Sequence, residues 1–421
     1  MTIPARTYRR TRSTSTHHLI EELLEGRISR SDLLVEPVHC GGADVFRYVG
    51  EFWTPKQRQA CSLHEISYRA CFKPQLPRFF IDRLTSPGDV VYDPFMGRGT
   101  TPLEAALLGR FAIGNDVNPL SQIFTKARLQ LPTLEDVAGR LDDLKILSKA
   151  RDSLDLSMFY HPRTKLEILS LRRHLVRRAA RKYEDHVDRW IRMVATNRLT
   201  GHSAGFFSVY TLPPNQAISQ ANQRKINKQR KQKPEYRNVK DLILRKTKSL
   251  LRNVTDEQRQ TLLRVGRKAR FLNGDAGRSR VLADNSVHLT VTSPPFLDTV
   301  NYASDNWMRC WFNDLDLQAI AQNLTVVRSL DVWMESMSRV LRELHRISSL
   351  EGVVAFEVGE IRKRNLKLDE VIVPLGIQAG FECAGILINQ QKFTKTSNIW
   401  GIRNNRAGTN TNRIVVFQKT L

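Results

Sequence analysis

Apolar positions along this chain alternate between short buried runs and longer amphipathic stretches. The runs DVVYDPF (89–95) and FAIGNDVNPL (111–120) have the pattern of buried strands. Between them, GTTPLEAALLGR (99–110) begins with Thr and Pro and ends at Gly109, which predicts a helix. Strand, helix and strand in this order indicate an α/β fold with a doubly wound, mostly parallel sheet.

The strand pattern is interrupted in the middle of the chain and then resumes. Residues 131–266 are helix-prone and basic, whereas ARFLNGDA, SVHLTVTSPPF, GVVAFEVGE and RIVVFQK read as strands. We therefore predict a basic N-terminal arm (1–55), a first part of an α/β domain (56–130), a helical basic insertion (131–266) and the second part of that domain (267–421).

The charge of the chain indicates a polyanionic partner. Its 421 residues include 66 Lys and Arg and 42 Asp and Glu, which gives a net charge of +24. Such an excess favours nucleic acid over a membrane surface. The densest segment, 221–250, lies in the insertion and supplies the candidate DNA contacts Arg224, Lys225, Lys228, Arg230, Lys231 and Lys233. The alternative is a solvated basic subdomain that reads no sequence.

Other classes of protein are disfavoured. No apolar run approaches the ~20 residues of a membrane span, and the basic N-terminus lacks the apolar core of a secretory signal. The five cysteines are scattered without a C-x-x-C pair, so we expect reduced thiols and neither a disulfide framework nor a metal site. These features predict a cytoplasmic protein, associated with the nucleoid if the source is bacterial.

A glycine turn follows the first predicted strand. In Asp93-Pro-Phe-Met-Gly97-Arg-Gly99-Thr100, a Gly-x-Gly turn enters a helix and lets a ligand approach the backbone. Pro102 replaces the third glycine of a dinucleotide fingerprint, which disfavours NAD and FAD. Asp116 ends the next strand, where it could accept both hydroxyls of a ribose, and Asp275 follows a third strand. Together these residues predict a nucleoside pocket, although one such acid alone is more often a helix cap.

A second motif ends a later strand. Ser293-Pro294-Pro295-Phe296 follows SVHLTVT, and two prolines cannot donate to a sheet ladder, so the strand must stop there. This places a hydroxyl, a rigid diproline and an aromatic ring at the end of a buried strand.

These motifs resemble those of the DNA amino-methyltransferases. DPFMGRGTTPLEAALLGR is similar to their motif I, AIGNDVNPL to motif II, NGDA to motif III, TSPPF to the catalytic motif IV and HEISYRACFKPQLPRFFI to motif X. The resemblance implies a class I, Rossmann-like fold and S-adenosylmethionine as cofactor. It assigns cofactor binding to Tyr68, Asp93, Pro94, Phe95, Gly97, Gly99, Thr100, Asp116 and Asp275.

The resemblance also implies a mechanism for the second motif. Ser293 Oγ and the Pro294 carbonyl would accept the two N–H bonds of a base amine, and the prolines would hold these acceptors in place. Phe296 would stack on a base flipped out of the duplex. Serine in the first position favours cytosine N4 in DNA. Adenine N6, an RNA substrate and a catalytically silent nucleic-acid-binding protein remain alternatives, in that order.

The insertion departs from the family pattern because it falls between motifs II and III. It is nevertheless our candidate for target recognition. Double-stranded DNA is the expected partner, and the resemblance allows for a cognate restriction nuclease. Cytosine C5 methylation is disfavoured, since it requires a nucleophilic cysteine that usually follows proline, and no cysteine here follows one.

Overall fold

A computed structural model provides the structure of the protein. It describes residues 16–25, 33–53, 60–68, 71–149, 154–212, 217–295, 302–323, 329–361, 366–390 and 411–421.

The strands of the described chain run in sequence order from β1 to β11. Their bounds are β1 Leu34–Cys40, β2 Ala43–Gly50, β3 Val90–Asp93, β4 Phe111–Asn115, β5 Arg270–Leu272, β6 Val287–Thr292, β7 Ser348–Val358, β8 Glu360–Ile361, β9 Leu366–Lys367, β10 Glu382–Gln390 and β11 Thr411–Gln418. Within these described residues, nine strands form one sheet in the order β1-β2-β10-β11-β7-β6-β3-β4-β5, and β8 pairs with β9.

The large sheet is mixed but mostly parallel. β7, β6, β3, β4 and β5 run parallel to one another, as do β2 and β10. β11 is antiparallel to both of its neighbours, β7 and β10. The predicted α/β class is therefore confirmed, and the apolar runs of the sequence form β3, β4, β5, β6, β7 and β11.

The helices pack on both faces of this sheet. Their bounds are α1 Thr16–Leu24, α2 Gln75–Leu84, α3 Thr100–Leu107, α4 Leu120–Lys126, α5 Leu134–Asp142, α6 Pro162–Ala180, α7 His186–Arg198, α8 Gln220–Gln229, α9 Val239–Leu251, α10 Asp256–Gly266, α11 Tyr302–Phe312, α12 Leu317–Asn323, α13 Leu330–Ile347 and α14 Leu368–Gln378. A 3₁₀ helix spans Ser62–His64. No helix in these described stretches is long and apolar enough to span a bilayer.

Alternation along the strands divides the buried residues into two cores. In β7, Val353 and Ala355 face one core, and Val354 and Phe356 face the other, as the period of two in a strand requires. The first core contains residues of α1, α2, α3 and α4, and the second contains the apolar stripes of α13 and α14. The result is a three-layer α/β/α arrangement.

The helices α5 to α10 come from the segment predicted as an insertion. Trp190 of α7 and Ile243 of α9 are fully buried and belong to the same core as Leu103 of α3. The described part of 131–266 therefore packs continuously onto one face of the sheet.

Residues 34–50 differ from the arm predicted for 1–55. They form the hairpin β1–β2, which joins the sheet through parallel pairing of β2 with β10. Cys40 and Val45 of this hairpin are buried in the second core. Burial of these side chains explains why the segment forms strands although the residues before it are strongly basic.

Candidate active site

Four of the candidate residues lie at or just after the carboxyl ends of neighbouring parallel strands. The strands β6, β3, β4 and β5 are adjacent, so their carboxyl ends share one edge of the sheet. Asp93 is the last residue of β3, Asp116 follows β4, Ser293 follows β6, and Asp275 comes three residues after β5. This edge is where open α/β sheets bind their ligands.

Asp93 joins the glycine turn to the strand that carries Ser293. Its Oδ1 accepts a hydrogen bond from Thr292 Oγ1 at 2.6 Å and another from the Phe95 backbone N–H at 3.1 Å. The side chain is 1% exposed, and this burial raises the pKa of the carboxyl group to about 7 despite the hydrogen bond from Thr292. A cation placed near Asp93 would favour its ionised form.

The glycine turn has the backbone conformation that its sequence predicts. Gly97 and Gly99 have φ angles of +50° and +76°, a region that side chains disfavour. A Cβ atom at Gly99 would clash with Thr125 of α4. A Cβ at Gly97 would lie 3.6 Å from the Tyr68 ring, so Tyr68 packs directly beside this turn. Thr100 begins α3 and accepts a hydrogen bond from Arg98 Nε at 3.2 Å.

Asp116 also supports the turn. Its carboxylate accepts the Gly97 backbone N–H at 2.8 Å and the Asn118 backbone N–H at 2.9 Å. Burial raises the pKa of Asp116. Each carboxylate oxygen has two lone pairs, so these bonds leave acceptor capacity for a further hydroxyl. Next to it in β4, Asn115 Nδ2 donates to the Pro94 carbonyl at 3.3 Å.

Two arginines hold the segment around Tyr68 by its backbone. Arg98 donates to the carbonyls of Ile66 at 3.0 Å and Phe72 at 3.4 Å, and Arg309 donates to that of Ser67 at 3.2 Å. Tyr68 itself is buried. No role for either arginine follows from the sequence motifs alone, although Arg98 lies between the two glycines of the turn.

Asp275 lies on the exposed side of the carboxyl edge of the sheet. Its carboxylate pairs with Arg339 of α13 at 3.2 Å and accepts the Gly277 N–H at 2.9 Å. The side chain is exposed, whereas Asp93 and Ser293 lie in or next to the sheet. Asp275 therefore adds a charge to the rim of the site.

Ser293 contacts a buried acid that the sequence analysis did not identify. Its hydroxyl is hydrogen-bonded to the carboxyl group of Glu357, near the end of β7. Burial raises the pKa of Glu357, and Asn412 Nδ2 of β11 donates to Glu357 Oε1. The signal in the sequence was one acidic residue inside the apolar run GVVAFEVGE.

A residue of the second hydrophobic core supports the diproline turn. The indole Nε1 of Trp333, a buried residue of α13, donates to the Pro295 carbonyl at 3.0 Å. Pro294 is buried and Pro295 is exposed. The predicted stacking residue, Phe296, lies outside the described residues. Trp333 was also missed, because nothing in its local sequence links it to a turn 38 residues earlier.

The six candidate DNA contacts form an exposed group on α8 and the residues after it. Arg224 pairs with Asp155 at 2.9 Å, and the Arg230 guanidinium lies 3.9 Å from the centre of the Tyr210 ring. All six side chains are exposed, the other four being Lys225, Lys228, Lys231 and Lys233. The residues before α8 contact α11, since the Ala217 N–H donates to the Asp305 carbonyl at 2.9 Å. The cationic helix is thereby attached to the element that follows the Ser293 motif.

The sheet and its polar carboxyl edge define an α/β protein of the Rossmann-like class. Comparison with known proteins narrows this class. The sequence pattern of the DNA methylase family matches residues 36–123. This segment holds the glycine turn and Asp116, so about a fifth of the chain is similar to the DNA methylase family.

Individual relatives match over short stretches. The type II methyltransferase M.MjaII of Methanocaldococcus jannaschii is 33% identical over 85 residues, 20% of this chain and 16% of that protein. M.BsoBI of Geobacillus stearothermophilus is 42% identical over 64 residues, 15% of this chain and 13% of the relative. The chain thus spans less than a fifth of the length of either of these relatives. A SAM-dependent methyltransferase structure from Methanosarcina mazei aligns over 81% of this chain and 97% of its own, with 12% identity and a TM-score of 0.31.

Proposed function

We propose that this protein transfers the methyl group of S-adenosylmethionine to the exocyclic amine of a base in DNA, with cytosine N4 as the favoured target. The observation that carries this proposal is the position of Ser293. It lies at the carboxyl edge of the sheet, one residue after the strand that Asp93 anchors, with its hydroxyl bonded to a buried acid.

The glycine turn and its neighbours fit the cofactor. Positive φ angles at Gly97 and Gly99 leave the backbone open to a ligand, and Asp116 keeps acceptor capacity for ribose hydroxyls. Asp93, with a pKa of about 7, gains stabilisation as a carboxylate from a nearby positive charge. Bound S-adenosylmethionine supplies an electrophilic methyl group on a positively charged sulfur.

Ser293 is placed to accept a hydrogen bond from an amine. A serine hydroxyl has one donor hydrogen and two acceptor lone pairs. When the Ser293 hydroxyl donates to the Glu357 carboxylate, its lone pairs remain for the N–H of a base amine. The Pro294 carbonyl would accept the second N–H, and together these acceptors localise the nitrogen lone pair for attack. Positioning of the amine is then the main catalytic device.

The choice of cytosine N4 rests on serine in the first motif position. Adenine N6 is the second candidate, because the matched family includes both types of DNA methylase. The net charge of +24 and the exposed cations of α8 support DNA as substrate through phosphate contacts. A target amine inside a duplex would be reached by flipping the base out of the stack.

Product analysis tests this proposal directly. The protein would be incubated with labelled S-adenosylmethionine and duplex DNA, and the DNA digested to nucleosides for mass spectrometry. We expect N4-methylcytosine, whereas N6-methyladenine would select the second candidate. Label on RNA but not on DNA would overturn the DNA assignment, and cofactor binding without transfer to either would favour a catalytically silent nucleic-acid-binding protein.

A further inference from the structure

A groove between α8 and α11 lies outside the residues assigned to methyl transfer. Its volume is about 750 Å³, within the range of about 300–1,000 Å³ that is typical of ligand sites. Its walls combine three kinds of side chain: aliphatic, aromatic and hydrogen-bonding. Leu212 and Ile226 are aliphatic, Trp307 is aromatic, and Lys225, Asn222 and Asp305 are polar or charged.

Trp307 gives the groove a rigid aromatic wall. Its indole Nε1 donates to the Ile218 carbonyl at 3.1 Å, and the Phe159 ring meets it edge-on with 6.1 Å between ring centres. These two contacts fix the orientation of the ring, while the side chain remains partly exposed to the groove. A fixed and partly exposed aromatic ring is the surface on which proteins stack unpaired bases.

The charge beside this ring suits a phosphate. Lys225 lines the groove, and α8 carries the further cations Arg224 and Lys228 outside it and no acidic residue. The acidic lining residue, Asp305, belongs to α11 and is largely buried. Asn222 offers both an amide donor and an acceptor on the same wall. An aromatic face, a cation and an amide together match the base, phosphate and hydrogen-bonding edge of a nucleotide.

The groove is close to the predicted transfer site. α11 follows the Ser293 motif, and its residues Asp305 and Trp307 line the groove. Arg309, one helical turn beyond Asp305, donates to the Ser67 carbonyl next to Tyr68. Since a helical turn rises about 5.4 Å, the groove and the wall of the cofactor pocket are separated by roughly one turn of α11.

We propose that this groove binds one unpaired nucleotide of the substrate DNA strand, close to the target base. The base stacks on Trp307 and its phosphate contacts Lys225. A groove of this volume is too small for a double helix, so the occupant is a nucleotide displaced from the duplex. This assignment rests on DNA as the substrate and adds a subsite that Ser293 and Phe296 do not provide.

Photo-crosslinking of the full-length protein locates the site. A pool of random single-stranded DNA containing 5-iodouracil would be irradiated with the protein and the crosslinked peptide sequenced. We expect the crosslink at Trp307 or in the flanking peptide of α11. A crosslink confined to peptides that do not line the groove would overturn the proposal. If the wild-type protein binds neither single-stranded nor duplex DNA, the DNA substrate fails as well. If the protein methylates DNA but the crosslink lies elsewhere, the proposed nucleotide subsite is wrong and the proposed function still stands.

Variants separate stacking from a structural role of the indole. Trp307→Leu removes the ring and should weaken binding of fluorescein-labelled single-stranded DNA about 10-fold. Trp307→Phe keeps a ring but loses the bond to Ile218, and we expect it to retain most of the affinity. Equal losses in both variants would show that the hydrogen bond matters and would contradict stacking. Lys225→Gln should weaken binding more than Lys228→Gln, its match on the same helix outside the groove.

Discussion

The carboxyl edge of the sheet and the helix α8 use charge in opposite ways. At the edge, Asp93 and Glu357 are buried carboxyl groups with raised pKa values, and each is held by hydrogen bonds from a neighbouring strand. On α8 and the residues after it, six cations are exposed. A buried group has few partners and cannot be replaced by water, whereas exposed charges act together and are screened by salt. Single substitutions should therefore have large effects at the edge and small ones on α8.

The largest effect is expected at Ser293. Ser293→Ala removes one of two proposed acceptors for the amine, and we expect the rate of methyl transfer to fall about 100-fold or more. Cofactor affinity, measured by calorimetry, should change by less than about twofold, since Ser293 is not among the proposed cofactor contacts. Ser286→Ala, at the opposite end of the β6 segment, is the control and should leave both quantities unchanged. Equal loss of cofactor affinity and rate in Ser293→Ala would contradict the assigned role.

Glu357 tests how the serine is oriented. Glu357→Gln preserves size but replaces an ionisable carboxyl group with a neutral amide that can donate to Ser293 at any pH. We expect transfer to slow about 10-fold, with cofactor affinity maintained and the pH profile of the rate altered. Glu351→Gln, at an exposed position of the same strand, is the control. A pH profile identical to that of the wild type would show that Glu357 only supports the fold.

Asp93 should control the pH dependence of stability. Its pKa rises from 3.8 to about 7 on folding, so the folded state favours the protonated carboxyl group. Its contribution to the free energy of unfolding is full below about pH 4 and is lost as the pH rises to about 7, a change of up to about 4 kcal/mol.

Denaturation of the cofactor-free protein at several pH values measures this contribution. Asp93→Asn should reduce the fall in unfolding free energy between pH 5 and pH 8, while the same change at the exposed Asp143 should not. Asp116 and Glu357 have pKa values raised in the same direction and account for the part that remains. Asp93→Asn should also bind the cofactor about 10-fold more weakly. An unchanged pH dependence in Asp93→Asn would contradict the raised pKa.

A smaller effect is expected at Trp333. Trp333→Phe keeps most of the buried ring but removes the donor to the Pro295 carbonyl, so the diproline turn loses one support. Loss of one hydrogen bond is worth about 1 kcal/mol, which corresponds to a roughly fivefold slower transfer rate if the turn must be rigid. The Michaelis constant for cofactor should stay constant. A destabilised protein with an unchanged rate per folded molecule would assign Trp333 to packing alone.

The smallest individual effects are expected from the exposed cations. Neutralising Lys228, Lys231 or Lys233 should weaken DNA binding by about two- to threefold each and lower the slope of affinity against salt concentration by about 1. Fluorescence anisotropy at several salt concentrations measures both. Exposed Arg173 on α6 provides the control. If neutralising one of these lysines weakened DNA binding more than about 50-fold, the expected difference between small effects on α8 and large effects at the sheet edge would be contradicted.

The local parts of the site were predictable because each is encoded within a few residues. The strand pattern before Asp93, the glycines that permit positive φ and the prolines that end β6 all lie in continuous sequence. The parallel order of β6, β3, β4 and β5 then brings Asp93, Asp116 and Ser293 to one edge, as a doubly wound sheet requires.

The supports of the site were not predictable in this way. Glu357 meets Ser293 because β7 lies beside β6, and Asn412 reaches Glu357 because β11 pairs with β7 in a register that places Ile414 opposite Glu357. This register depends on neighbours more than 50 residues apart, which local periodicity does not encode. The same limit applies to residues 34–50, whose pairing partner, β10, lies more than 330 residues later.

The position of β11 has a consequence for the synthesis of the protein. Of the described strands, β11 leaves the ribosome last, yet it occupies an interior place in the sheet between β7 and β10. Until it emerges, Glu357 lacks Asn412, and no strand pairing joins the hairpin β1–β2 and strand β10 to the parallel strands. Contacts over such long separations also form slowly. A growing chain would therefore carry the glycine turn long before it can hold Ser293 in place, so the proposed methyl transfer becomes possible only after this last described strand has been inserted.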